Sequence, residues 1–212
     1  MSSFDSNNSN QINIVFDFDN IINDEFEAHV RTFDYFIKKE NKLLDPMELS
    51  LRLLYLDTNF GDFDFNQIIN IVMNEYNLNF DITQFEMRYE NELKIRDDII
   101  KLFHYFNTLK ENYLIKVIIW SFNETQSIKQ FLKKFNIKVD SIYGKQRKYL
   151  KSYFDDLVSK ENLISKNTIF VGDKLIDVFL PKILGFNVVL WHPVLSKKKL
   201  YDAIIEKISI LL

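Results

Sequence analysis

Polar side chains stand where three hydrophobic runs of this 212-residue chain stop: Asp17 and Asp19 after Ile12 to Phe16, Ser121 with Asn123 after Leu114 to Trp120, and Asp173 after Thr168 to Val171. Two aspartates at positions n and n+2 of an extended strand point the same way. A third carboxylate from a neighbouring strand end completes an oxygen-ligand site. Such a site suits Mg²⁺, a hard ion that takes carboxylates, carbonyls, waters and substrate phosphate, and without a cation the same acids repel one another. A fourth acid, Asp177, follows Asp173 by one helical turn and can face the same pocket.

The elements that must position these groups follow from periodicity. Residues 11–22 open with a short run of apolar, β-favouring residues, which predicts a strand buried on both faces and therefore a parallel sheet. Its C-terminal end, where Asp17 and Asp19 sit, is where open α/β sheets bind ligands. From 23 to 94 the pattern is helical. Phe26, Val30, Phe33 and Ile37 recur at helical spacing, as do Ile68, Ile71, Met73 and Tyr76, with breaks at Pro46, Gly61 and Asp62, so about four helices are expected. Alternation resumes at 95–212. Strands are predicted at Leu114 to Trp120, Val139 to Tyr143, Thr168 to Val171 and Asn187 to Trp191, separated by helices, the last running from about Leu195 to Ile210. The fold expected is α/β: a doubly wound, Rossmann-like parallel sheet of about five strands in 11–22 and 95–212, with an all-helical cap domain inserted at 23–94. Residues 1–10 are polar and aperiodic and read as a disordered tail.

Composition narrows the classes. With 47% hydrophobic and 27% charged residues the chain reads as a soluble globular protein. The absence of cysteine excludes disulfides, thiolate catalysis and cysteine zinc sites. No apolar run approaches the ~20 residues of a membrane span, and the start lacks a secretory pattern, so a cytoplasmic location with no membrane partner is expected. Residues 23–94 hold 15 acidic and 7 basic side chains, against 15 and 20 in the remainder. A basic remainder suits a small anionic ligand, and the acidic middle argues against a nucleic-acid partner.

In these motifs the chain resembles the haloacid dehalogenase superfamily, and specifically its phosphatase members. Asp17-Phe18-Asp19-Asn20-Ile21 resembles the first motif, Ser121 the second, and Gly172-Asp173 with Asp177 the fourth. The third is a lone lysine, for which Lys145, Lys148 and Lys151 all qualify. Lys148, 25 residues before Asp173 and six before the aromatic Phe154, has the favoured spacing. Lys145, directly after Gly144, is its competitor. The resemblance implies a Mg²⁺-dependent phosphomonoesterase acting on a small phosphorylated metabolite. Asp17 would be the nucleophile, Asp19 the general acid and base, Ser121 a phosphoryl donor and Lys148 a charge-neutralising group. Asp17, Asp19 through its backbone carbonyl, and Asp173 would hold the metal. Asp177 would orient the lysine or a metal-bound water. Two residues depart from the pattern: Ile21 replaces a usual Thr or Val, and Asn20 stands where Gly is frequent, although Asn reaches the left-handed region at modest cost. The acid at 19 argues against a dehalogenase, which does not need it. A phosphotransferase or mutase, and a catalytically silent binding module, are the alternatives.

Other polar residues have plainer readings. Asn123 reads as the cap of the following helix or a substrate contact, and Lys145, Arg147 and Lys151 as a solvated helix face. His29, His104 and His192 lack metal-ligand spacing. Tyr55, Phe60 and Phe63 are candidates for lining a substrate pocket. The oligomeric state is not legible in the sequence.

Overall fold

The computed structural model describes residues 11–59, 65–109 and 111–212. The expected tail and the candidates Phe60 and Phe63 lie outside them. The described residues form two compact units, one from 11–23 and 95–212, the other from 24–94.

The first unit is built on five parallel strands, β1 (Gln11–Phe16), β2 (Leu114–Trp120), β3 (Ser141–Tyr143), β4 (Thr168–Gly172) and β5 (Asn187–Leu190), in the order β3-β2-β1-β4-β5. The chain adds strands on one side of β1 and then on the other. Its winding therefore reverses between β1 and β4, and open α/β sheets place their ligands outside the carboxyl ends of the strands at such a switch point. The period of two sorts the strand residues between faces. Ile12, Ile14 and Phe16 join Val117, Ile119, Ile169 and Val171 in one core, against Ile99, Leu102 and Phe106 of α5 (Asp97–Leu109), Ile128 and Leu132 of α6 (Thr125–Lys134), and Ile204 and Ile208 of α9 (Leu200–Leu211). Val15, Ile118, Trp120 and Phe170 point the other way, toward Phe154 and Leu157 of α7 (Lys151–Glu161) and partly buried Leu180 of α8 (Leu175–Ile183).

The last helix starts five residues later than its apolar pattern predicts. His192 is the reason: its Nδ1 accepts from the N–H groups of Val194 (3.1 Å) and Leu195 (3.3 Å), and its own N–H donates to Ser196 Oγ (2.8 Å). A side chain that captures the amides of 194 and 195 holds them in a turn, so the helix begins at Leu200.

The second unit holds four helices among the described residues: α1 (Glu25–Lys39), α2 (Pro46–Asn59), α3 (Phe65–Glu75) and α4 (Ile82–Glu92). Pro46 opens α2, where its missing N–H costs nothing, and Asp45 Oδ1 accepts from Met47 N–H (2.9 Å). Phe33, Phe36, Ile37, Leu49, Leu53, Ile69 and Phe85 form its core. The two ends of this unit lie side by side. Asp24 N–H donates to Lys94 O (3.0 Å), Lys94 N–H to Asp24 Oδ1 (2.7 Å), and Arg31 Nη2 to Asp24 Oδ2 (2.6 Å). Within the first unit, Asn23 and Ile95 pair as an isolated antiparallel bridge. No helix of the described residues is long and apolar enough to cross a membrane.

His29 of α1 lies buried at 4% exposure and stacks on Tyr89, with ring centroids 4.5 Å apart, and its Nε2 has no hydrogen-bond partner. Burial pushes its pKa down to about 3. Between pH 6.5 and that value the unfolded chain binds the proton and the native one does not, so stability falls as pH falls through this window, by up to ~1.4 kcal/mol per pH unit. His29→Phe is expected to flatten that slope. Thermal melts at pH 7, 6, 5 and 4 check it, and identical acid slopes for the variant and the wild type would refute it.

Candidate active site

Asp17 continues β1 by one residue, its N–H donating to Val171 O on β4 (2.8 Å), and this fixes it beside the β4 end that carries Asp173. The chain then turns sharply. Asn20 adopts φ 58°, the left-handed region, and the N–H groups of Ile22 and Asn23 both donate to Phe18 O. Ile21 and Ile22 are fully buried in the core. A branched apolar side chain at 21 is therefore a packing residue, and a hydroxyl there would need a partner.

The lysine is positioned by the loop after β3. Its backbone is hung from the end of β2: Ser121 N–H donates to Tyr143 O (2.9 Å), Lys145 N–H to Asn123 O (2.7 Å), and Gln146 N–H to Ser121 O (2.9 Å). Gly144 lies so close to Asn123 and Thr125 that a Cβ would collide with both. The loop delivers Lys148 inward, fully buried, with Nζ 2.6 Å from Asp17 Oδ1 and 2.7 Å from Asp177 Oδ1. The same Nζ lies 5.5 Å from the ring centroids of Trp120 and Phe122. Lys145, by contrast, has φ 54° and an exposed side chain paired with Glu124, and Lys151 is exposed and pairs with Asp155.

Asp177 packs against Gly172, where any Cβ would strike its side chain. One of its oxygens takes Lys148; the other accepts Lys174 N–H (2.9 Å) and so closes the first turn of α8. Asp173 is 4% exposed, accepts from Asn20 Nδ2 through Oδ2 (3.0 Å), and leaves Oδ1 buried with no partner. Asp17, Asp173 and Asp177 each offer an oxygen within 4.8 Å of the others. The Asp19 carboxylate is not in this group. Its Oδ1 accepts from Asn23 Nδ2 (2.9 Å) and its Oδ2 from Asn123 Nδ2 (2.8 Å). Asn123 is thus a partner of Asp19; the N-cap position of α6 falls on Glu124, whose side chain makes no capping bond. Ser121 is buried, and its Oγ accepts from Asn123 N–H (3.1 Å).

Electrostatics follow from crowding four acids together. Burial, and then the charge of Asp177, raise the Asp17 pKa well above the usual carboxylate range, with Lys148 opposing. Burial pushes Asp173 up to about 6, and Asp19 is also raised, by burial against the hydrogen bonds of its asparagines. For Lys148 burial works against the charge, but Asp17 and Asp177 outweigh it and hold the ammonium charged. The residues fit magnesium: three carboxylates converge, Asp173 among them keeps a buried oxygen without a partner, and the negative charge exceeds what one lysine balances.

Asn20, Asn23, Trp120 and Phe122 were not readable as site residues. Asn20 stood out only as a departure from a motif, and Asn23 follows Asp19 by four residues without any pattern to mark it. Tyr55 of α2 is exposed.

The sequence profile of the family described as haloacid dehalogenase-like hydrolase matches residues 14–190. The chain belongs to that family. Among curated proteins no sequence match is found. Solved structures of the same fold include YfnB from Bacillus subtilis, named as a candidate HAD-hydrolase and solved bound to magnesium, with TM-score 0.65, 16% identity, and 95% of this chain and 99% of that one covered. A defluorinating L-2-haloacid dehalogenase has TM-score 0.64 at 12% identity, covering 87% of this chain and 82% of its own. A candidate β-phosphoglucomutase from Thermotoga maritima has TM-score 0.59 at 14% identity, covering 92% and 91%.

Proposed function

We propose that this hydrolase is a magnesium-dependent phosphomonoesterase that acts on a small phosphorylated metabolite through an aspartyl-phosphate on Asp17. One observation carries the reading: the two acids at the end of β1 are held differently. Asp17 lies against Lys148 in the carboxylate group, whereas Asp19 lies apart from that group, held by two amides. That division suits one acid as nucleophile and the other as proton carrier. A dehalogenase needs only the first.

Asp17 and Asp173, with the Asp19 backbone carbonyl, would hold Mg²⁺, which when bound offsets the charge that otherwise keeps an anionic carboxylate from an anionic phosphate. Asp17 Oδ attacks phosphorus while the bond to the leaving oxygen breaks, and Asp19 gives that oxygen a proton. Asp19, now ionised, then takes a proton from the water that displaces the phosphoryl group from Asp17, which returns Asp17 to its carboxylate and Asp19 to its protonated form. Ser121 donates its hydroxyl hydrogen to a phosphoryl oxygen, and Lys148 balances charge on Asp17 and the phosphate. The small-molecule assignment rests on chain order, since an insertion directly after the nucleophile strand is suited to restricting entry.

The test is a screen of phosphorylated metabolites for phosphate release with and without magnesium. Magnesium-dependent release from a subset of small substrates is expected. Silence across a broad panel would overturn the proposal, and isomerised phosphosugar in place of free phosphate would move the protein to the mutases.

A further inference from the structure

Both carboxylate oxygens of Asp19 are held, and what holds them is not in the carboxylate group. Both of its oxygens accept an amide N–H, at 2.9 Å from Asn23 and 2.8 Å from Asn123. The two donors are themselves fixed at their other ends. Asn23 is fully buried, and its Oδ1 accepts Asn20 N–H (3.0 Å) from the left-handed turn. Asn123 donates its backbone N–H to Ser121 Oγ (3.1 Å) and accepts Lys145 N–H (2.7 Å) through its carbonyl. The donors come from two different strand ends, and together they leave the carboxyl group of Asp19 one orientation.

We infer that Asn23 and Asn123 are positioning residues that fix the Asp19 carboxyl group for proton transfer to the leaving oxygen. The inference rests on the assignment of Asp19 as the proton carrier. Each carboxyl oxygen has two lone-pair sites. The amides occupy one on each oxygen, and the other stays available for the transferred proton. Asp19 keeps part of its surface exposed, so a substrate oxygen can reach it. Holding the group in one orientation removes the rotational search from the transfer step, and proton transfer by a positioned side chain contributes ~10²–10⁴-fold.

The test uses a series of substituted phenyl phosphates that differ in how readily the phenolate leaves. They need no knowledge of the natural substrate. kcat/KM reports the steps up to phosphoenzyme formation. In the wild type a supplied proton makes kcat/KM depend weakly on the leaving group. Asn123→Ala, and the isosteric Asn123→Asp, which lacks the donor, are expected to steepen that dependence, with kcat/KM for the poorest leaving group falling about tenfold or more relative to p-nitrophenyl phosphate. Asn23→Ala is the second variant, and Asp19→Asn is the control. A steep dependence in Asp19→Asn with an unchanged or uniformly lowered series in the asparagine variants overturns the inference and leaves the role of Asp19 standing. A shallow dependence in Asp19→Asn removes that role, and the inference with it.

Discussion

Asp17→Asn is expected to lower turnover by about 10⁴-fold or more, because an amide at this position keeps the shape of the carboxylate and loses the nucleophile. The variant is expected to fold at least as stably as the wild type without magnesium. Burial and the neighbouring acids raise the Asp17 pKa, and a carboxylate whose folded pKa lies above its unfolded value loses native stability as pH rises through that window. Neutralising it removes this penalty, and Lys148 keeps Asp177 at 2.7 Å. Phosphate release on the best panel substrate, measured beside a thermal melt, checks both halves. Retained turnover would show that Asp17 is not the attacking group, and lost turnover with a collapsed melt would show that the substitution acts through the fold.

Lys148→Met is expected to destabilise the protein by ~3–5 kcal/mol, the cost of removing one partner from a buried ion pair. Its ammonium is fully buried and pairs with both Asp17 and Asp177. Methionine fills a similar volume against Trp120 and Phe122 but carries no charge. The penalty comes from the two stranded carboxylates, so the double variant Asp17→Asn, Lys148→Met should recover part of the loss. Urea unfolding of the four proteins closes the cycle. Strictly additive effects, or a Lys148→Met protein as stable as the wild type, would mean that the lysine does not balance these acids.

The sheet was legible because a buried parallel strand needs a short run of branched and aromatic residues, and Ile14 to Phe16, Val117 to Trp120 and Ile169 to Val171 are such runs. The polar residues that end them could be named for the same reason. The third-motif lysine could be narrowed to a few positions but not decided from composition, since Lys145 and Lys148 follow the same glycine. What separates them is tertiary: hydrogen bonds from the N–H groups of Lys145 and Gln146 to the carbonyls of Asn123 and Ser121 set the loop that turns Lys145 outward and Lys148 inward. The amides around Asp19 were out of reach because Asn123 lies 104 residues away in sequence. The start of the last helix was misplaced because the periodicity of Leu195 and Leu200 says nothing of a histidine that takes the amides of Val194 and Leu195.

The bonds between Asp24 and Lys94, and the bridge between Asn23 and Ile95, bring the two ends of the helical unit together at one point. A segment that leaves and re-enters the chain at neighbouring residues imposes no span on what lies between them. Evolution can therefore lengthen, shorten or exchange residues 24–94 while β1 and α5 keep their register, and an engineer can graft another helical insert onto the same two residues.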